Sequence, residues 1–434
     1  MVGYDYICVM NKRHPERALF DPSPPAAKAG RRDVRRRNTW LLLHLLQTEG
    51  PSSQAELARR SGLSPATVSG ILQPFLEARI LVEEGKAASG LGRRASMLAF
   101  NQRSTLTAGI YIDQEECEVG LVDLSARVID RTCAGYPRYT EPHEVVELAA
   151  ECLSELLDRN RVDRGALIGA GVAVPGLIDS KSGLVCVASN LGWRQVQLRA
   201  LAERRLAVAV RVEHLGRAKA RAEATWGRGK GCRNFVCLEI GSGIGAGVMA
   251  DGRILRGAGA IAGEVGHTPI ESAGPRCACG LMGCWEVFCA SPAIRRRLAE
   301  RLGSSQAGSV LSPNSSLADI GRAYEQADPV ARDVIQATAD YLARGLVGLI
   351  WNFDPEIIIL TGPVVRDCPG LIEATRSILS GLQGARRFDV PLVAASQQAD
   401  AAVVAASSIV SLRYVEELAA GEPQVRRVQL VAGG

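Results

Sequence analysis

The spacing of apolar and polar positions divides the chain into a tail, a small helical head and a long body. Residues 1–30 carry Pro22, Pro24 and Pro25 and no regular apolar spacing, which predicts a mobile tail with Met10 as a second candidate initiator. The first dense apolar run, TWLLLHLLQTE from Thr39 to Glu49, predicts a largely buried helix ended by Gly50-Pro51. In the segment SSQAELARRSGLSPATVSGILQPFLEARILVE, Ser53 caps a short helix through Arg60 and Ser61-Gly62 turns the chain. Ser64-Pro65 then supplies an N-cap with proline at the first helical position. Ile80-Leu81-Val82 and Met97-Leu98-Ala99-Phe100 read as strands around a loop from Glu84 to Ala95. From Leu106 short β runs alternate with helices: LTAGIYID, EVGLVDL, RVIDRTC, a helix from His143 to Arg159, then LIGAGVAVPGLID. A buried strand from Asn234 to Ile240 runs into a glycine-rich segment, Gly241 to Gly247. Long helices are expected over 328–353 and near the C-terminus, and residues 421–434 read as a second tail.

Two helices followed by a hairpin, in that order, predict a winged helix-turn-helix over residues 31–100. Leu57, Leu63, Val68 and Leu72 fall where the two helices meet, leaving Ser64, Pro65, Ala66, Thr67, Ser69 and Gly70 on the face that enters a major groove. That face is small and poor in polar groups. Much of the affinity is therefore expected from phosphate contacts by Arg31 to Arg37, Arg59, Arg60, Arg93 and Arg94, with some sequence choice from groove shape. Pro74 lies inside the recognition helix and is expected to kink or end it.

Composition narrows the class. With 434 residues, 47% hydrophobic and 22% charged, the chain has room for two or three domains, each expected to have its own core. No run of about 18 apolar residues and no export signal is present, which predicts a cytoplasmic protein with no membrane partner. The first hundred residues hold 15 Lys and Arg against 9 Asp and Glu, while the remainder holds 36 against 37. A basic head on a neutral body suits a phosphate-binding module joined to a ligand-binding one.

The densest chemistry lies in GEVGHTPIESAGPRCACGLMGCWEVFCAS, Gly263 to Ser291. His267, Cys277, Cys279 and Cys284 place one imidazole and three thiols on a short glycine-containing backbone, the donor set of a tetrahedral zinc ion. The twelve cysteines, three of them clustered this way, suit a reducing compartment with one metal site rather than a disulfide framework.

Gly263-Glu264-Val265-Gly266-His267 followed by CACGLMGCWE resembles the signature of the ROK family, which groups repressors, open reading frames and sugar kinases. The resemblance runs from about residue 33 to 415 and includes the Leu91-Gly92-Arg93-Arg94 wing tip. It implies an α/β chain in which the winged helix-turn-helix precedes a two-lobed actin-like (ribonuclease H-like) ATPase/sugar-kinase fold over residues 101–420. It also implies a structural role for the zinc, and sugar contacts by Glu264, His267 and Glu286. Asn190, in Ser189-Asn190-Leu191-Gly192-Trp193, resembles the sugar-binding loop of the other lobe, and Gly241 to Gly247 resembles a phosphate loop. The effector pocket is accordingly expected to be built from Asn190, His214, Glu264, His267 and Glu286.

Several positions depart from the kinase pattern. Asp113 is followed by Gln114, Glu115 and Glu116 where family kinases have Asp-x-Gly, and Pro363 replaces a glycine after Gly362. Family kinases carry Asn-Asp at the position of His214 and Leu215, the aspartate being the general base. Leucine cannot accept a proton, so no catalytic residue is expected. The resemblance then implies a DNA-binding regulator, a repressor of carbohydrate-related genes, that is gated by a sugar or sugar derivative and acts as a dimer or tetramer on operator DNA. The alternatives are a sugar kinase with an appended DNA-binding head and a ligand-independent DNA-binding regulator. Arg79 stands where relatives usually have a helix-ending glycine.

Overall fold

A computed structural model describes residues 30–86, 96–102, 104–304, 308–382, 389–396 and 400–421. The expected tails and the wing tip with Arg93 and Arg94 lie outside these residues. No helix among the described residues is long and apolar enough to cross a membrane.

The head opens with α1 (Arg31–Glu49), followed by β1 (Ser52–Ser53), α2 (Gln54–Ser61), α3 (Pro65–Glu77), β2 (Leu81–Lys86) and β3 (Ser96–Phe100). Helix α1 begins eight residues before the apolar run, so the arginine cluster forms its first turns instead of preceding it. Arginine is a good helix former, and Asp33 accepts the Gly30 backbone N–H at 3.2 Å to close the exposed N-terminus. At α2 the Ser53 hydroxyl accepts the Glu56 N–H at 3.2 Å while the Glu56 carboxylate accepts the Ser53 N–H at 2.9 Å, a reciprocal cap worth about 1 kcal/mol. Of the two expected effects of Pro74, ending the helix does not occur: α3 runs on to Glu77. Gly70, whose carbonyl loses its partner there, and Pro74 both face solvent, so water can satisfy the carbonyl. After α3, Arg79 takes a left-handed φ of 55°, and its carbonyl accepts the Asn101 side-chain amide at 2.8 Å.

The body consists of two lobes of the same topology. In the first, β4 (Leu106–Ile112), β5 (Glu116–Val122) and β6 (Val128–Gly135) form an antiparallel meander, α4 (Pro142–Asn160) crosses it, and β7 (Leu167–Val174) returns parallel to β4. A small sheet of β8 (Leu177–Asp179), β9 (Leu184–Ala188) and β10 (Trp193–Val196), then α5 (Leu198–Leu206), lead into β11 (Val210–His214), giving the order β11-β7-β4-β5-β6. Helix α6 (Leu215–Trp226) carries the chain to the second lobe. There β12 (Phe235–Ile240), β13 (Ile244–Ala250) and β14 (Arg253–Ile254) repeat the meander. Next come α7 (Glu286–Cys289), α8 (Ser291–Ser304), α9 (Leu317–Glu325) and α10 (Pro329–Phe353). Then β15 (Ile357–Thr361), α11 (Pro363–Asp367), α12 (Gly370–Gly381) and β16 (Leu392–Ala394) complete the order β14-β13-β12-β15-β16. The last helix, α13 (Ala401–Ala420), returns to the first lobe.

The family resemblance also implies that the long helices over 328–353 and near the C-terminus bridge the lobes, and the first does not. Helix α10 packs on α7, α8, α9 and α12 inside the second lobe, whereas α13 lies on β4, β5 and β7 and against α6. Glycines set the distance: a Cβ on Gly109 would stand 2.1 Å from the Val403 carbonyl oxygen, and one on Gly171 1.8 Å from that of Ala406. The expectation of a separate core for the head also fails. Leu42, Leu43, Leu57, Val68, Leu72 and Leu98 form one buried cluster with Leu124, Tyr414, Val415 and Leu418 of the body. Head and α13 are thus docked through shared apolar surface, the dominant favourable term in such contacts.

Candidate ligand cavity, metal cluster and DNA-reading face

Strand β11 ends at His214 and α6 starts at Leu215, so this junction delivers both side chains to the cleft between the lobes. The cleft holds a cavity of about 670 Å³, within the range of small-molecule sites. Asn190, His214, Glu264, His267 and Glu286 all line it, together with Leu215, the turn Gly241–Gly243 and Asp113. A Cβ on Gly243 would lie 3.0 Å from both Asn190 Nδ2 and Glu286 Oε2, which places that turn between the two polar walls. His214 is buried, with Nε2 3.3 Å from Glu264 Oε1 and with Nδ1 lacking a hydrogen-bond partner. Burial lowers its pKa, against the opposing pull of Glu264, so the imidazole is neutral at pH 7. Leu215, 6% exposed, packs with Tyr111, Ala173 and Ala218 and offers no proton acceptor.

The glycine-rich segment has two uses. Only Gly241–Gly243 forms a turn; Gly245 and Gly247 lie in β13. Gly247 is needed because a Cβ there would stand 2.1 Å from the Gly216 carbonyl oxygen, where α6 crosses β13. At the turn, Ser242 Oγ donates to Asp113 Oδ1 at 2.6 Å and Tyr111 Oη donates to Asp113 Oδ2 at 2.7 Å. Both carboxylate oxygens are therefore engaged, and the bond from Ser242 ties the lobes together. Deeper in, Lys219 and Glu239 form a buried ion pair.

Beneath His214 lies a network that the sequence did not announce. Buried Glu213 accepts from Arg217 Nε at 2.8 Å and Ser180 Oγ at 2.7 Å, and pairs with Arg256 at 2.8 Å. Burial alone would raise the Glu213 pKa; the two guanidiniums outweigh it and hold the carboxyl at about 2. Arg217 also donates to the Ala260 carbonyl at 3.0 Å, so β11, α6 and the loop before Glu264 share one set of charges. Glu213 and Arg217 are four residues apart, a spacing visible in the sequence, but Ser180 and Arg256 come from distant segments that no sequence signal could have joined to them.

The ligand atoms of His267, Cys277, Cys279 and Cys284 all lie within 4.8 Å of one another, a group that could hold a metal ion. Cys277 Sγ is 3.6 Å from His267 Nδ1, and the Cys279 and Cys284 sulfurs are 3.6 Å apart. Tetrahedral ligation with Zn–S bonds of about 2.3 Å separates sulfurs by about 3.8 Å, so the donor set fits. Gly283 makes the turn possible: its φ is 64° and a Cβ would stand 1.6 Å from the Glu271 carbonyl oxygen. Burial and the Glu286 carboxylate push the Cys277 thiol up, and burial with the neighbouring Cys279 raises Cys284 to about 11. Thiolates at such positions require a cation beside them. Glu286, 3.4 Å from His267 Nδ1, stands between the cluster and the cavity, while Nε2 of the same ring lies 4.0 Å from Glu264.

On the head, Val68, Ile71 and Leu72 bury one side of α3. Pro65, Ala66, Thr67, Ser69 and Gly70 are exposed on the other, and Ser64 caps the helix by accepting the Thr67 N–H at 3.2 Å. Gln73, also exposed and bonded to Glu77 at 3.1 Å, shares this face and was missed; its spacing of seven from Ala66 was the available signal. Arg59 is exposed, whereas Arg60 pairs with Glu49 at 2.9 Å, so its guanidinium is already engaged.

With this geometry in view, the chain belongs to the ROK family, whose profile matches residues 107–412. A winged helix-turn-helix DNA-binding profile matches residues 35–82. The xylose repressor of Bacillus spizizenii is 28% identical over 348 residues, covering 80% of this chain and 87% of that one. The N-acetylglucosamine repressor of Escherichia coli O157:H7 is also 28% identical over 348 residues, covering 80% and 85%. A solved ROK family transcriptional regulator, described as a homolog of the E. coli MLC protein, superposes with a TM-score of 0.70 at 25% identity, over 90% of this chain and 99% of that one. A ROK family glucokinase from Streptomyces griseus, solved with glucose and AMPPNP, superposes with a TM-score of 0.64 at 26% identity, over 70% and 98%.

Proposed function

We propose that this chain is a DNA-binding transcriptional regulator of carbohydrate-related genes, most simply a repressor, in which the kinase-like body senses a sugar or sugar derivative instead of phosphorylating it. The observation that carries this reading is the junction of β11 and α6. It puts Leu215, an apolar side chain, in a cavity lined by Asn190, Glu264, His267 and Glu286, and the resemblance to family kinases gives Leu215 the position of their base. Carboxylates, an amide and a neutral imidazole can bind hydroxyl groups from both walls without a base to deprotonate one. The repressors among the relatives support the same reading.

In this reading Ser64, Pro65, Ala66, Thr67, Ser69 and Gly70 face the major groove, with Arg59, Arg93 and Arg94 on the phosphates, while Arg60 stays with Glu49. Two heads in a homodimer or tetramer read the halves of a palindrome in the cytoplasm. Zinc at His267, Cys277, Cys279 and Cys284 clamps the loop that carries Glu264 and Glu286 and takes no part in chemistry. A ligand that pulls Asn190 and Glu286 together reorients α6, whose far end grips α1 of the head. The test is fluorescence anisotropy on DNA from upstream of the chain's own gene against scrambled DNA at two salt concentrations. A preference that survives the higher salt supports the reading; equal binding to both, falling steeply with salt, overturns it.

A further inference from the structure

The lining of the cavity restricts the effector beyond "a sugar". Among the described lining residues there is no lysine or arginine, while Asp113, Glu239, Glu264 and Glu286 contribute four carboxylates. Cations bonded to lining residues or to their chain neighbours are already paired: Lys219 with Glu239, and Arg217 and Arg256 with Glu213. A phosphate group entering this space would meet Asp113, Glu264 and Glu286, which have no lysine or arginine beside them in the lining, in a partly desolvated site.

Part of the remaining lining is apolar. Leu177, Val187, Leu215 and Ile244 contribute to its walls. Ile261 and Leu281 stand at its edge, 55% and 48% exposed, each with a second exposed apolar side chain, Leu255 or Met282, on the same loop. Those four are among only nine large apolar side chains exposed over the described residues, so nearly half of them gather on the two loops beside the cavity. Such concentrations mark places where apolar surface is meant to be covered. A volume of about 670 Å³ also leaves room beyond a single sugar ring.

We infer that the effector is an uncharged glycoside carrying an apolar aglycone. Its sugar ring is held by Asn190, Glu264, His267 and Glu286, its aglycone covers Leu177, Ile261 and Leu281, and phosphorylated sugars are rejected. The inference rests on the reading of this cavity as a sugar sensor.

Isothermal titration calorimetry of the full chain tests it, using D-glucose, D-galactose, D-xylose and N-acetyl-D-glucosamine, their phenyl β-glycosides, and the 6-phosphates of the hexoses. At least one phenyl glycoside is expected to bind about tenfold or more tightly than its parent sugar, and each 6-phosphate about tenfold or more weakly than its parent. Ile261→Ser and Leu281→Ser change exposed side chains. Each should reduce the ratio of phenyl-glycoside to parent-sugar affinity to about one, whatever its effect on the parent sugar. A 6-phosphate that binds as well as its parent, or phenyl glycosides that bind no better than theirs, overturns the inference but leaves the sugar-sensor reading standing. Absence of binding by every compound overturns both.

Discussion

Trp226, the last residue of α6, donates its indole N–H to the backbone carbonyl of Gln47 in α1 at 3.0 Å. The first residue of the same helix, Leu215, lines the ligand cavity, so one twelve-residue rod connects the cleft to the DNA-binding head. Beside this contact Lys230 bonds to Glu49, which also holds Arg60 of α2. The Gln47 side-chain amide is buried there with neither its oxygen nor its nitrogen hydrogen-bonded. An orphaned amide costs about 1–3 kcal/mol per group, which weakens this docking relative to one that satisfies it. Trp226→Phe keeps an aromatic ring and removes the donor. Calorimetry should show ligand affinity within about twofold of the parent chain, while the ligand's effect on DNA affinity falls by about fivefold or more.

The head–body contact is also expected to respond to pH. His44 of α1 stacks on Trp40 at 4.5 Å, and burial followed by the Lys230 charge lowers its pKa from 6.5 to about 4, with Glu49 opposing. The folded state therefore holds this proton less tightly than the unfolded chain does. The stability from neutral His44 is complete above about pH 6.5 and is lost as the pH falls toward 4. His214, also lowered by burial, acts in the same direction. Melting temperature measured from pH 7 to 4.5 should fall less steeply in His44→Gln than in the parent chain; parallel curves would show that His44 carries no such linkage.

Glu213 behaves with the same sign at lower pH. Its folded pKa of about 2 lies below its ordinary value, so its contribution is present above about pH 4.5 and disappears between there and pH 2. Arg217→Ala leaves this buried carboxylate with one guanidinium fewer and should destabilise the body by about 3–5 kcal/mol in urea unfolding. Arg217→Met, which better preserves the volume, should lose a similar amount because the buried carboxylate keeps Arg256 as its one remaining cationic partner.

The metal cluster gives a composition test. Mass spectrometry of the purified chain should find one zinc per chain. Cys277→Ser and Cys279→Ser should lose it, lower the melting temperature and remove ligand binding, because Glu264 and Glu286 are carried on the clamped loop. Stoichiometric zinc in Cys279→Ser would remove Cys279 from the donor set.

Much of this architecture could be read from local patterns. Ser53, Ser64-Pro65 and Gly62 announce the helix-turn-helix because caps and turns depend on adjacent residues, and Cys277, Cys279 and Cys284 announce the cluster through short spacing. The start of α1 was misplaced because its arginines carry no apolar period, although they favour a helix. The shared core of Leu43 with Tyr414 and Leu418, the bond between Ser242 and Asp113, and the pairing of Arg256 with Glu213 could not be read. Each joins residues that only the tertiary fold brings together. Arg79 is the intermediate case: its left-handed φ of 55° follows from the turn it occupies, and Arg79→Gly should raise stability by up to about 1 kcal/mol.

The central claim is that occupancy of the cleft and grip on DNA are linked, and reciprocity tests it most directly. Affinity for DNA from upstream of the chain's own gene would be measured by anisotropy with and without each compound of the monosaccharide and phenyl glycoside panel. The affinity of each binder would then be measured by calorimetry with and without that DNA. The account predicts that at least one compound changes DNA affinity fivefold or more and that the DNA changes that compound's affinity by the same factor. Compounds that bind the cleft while leaving DNA affinity unchanged would contradict it.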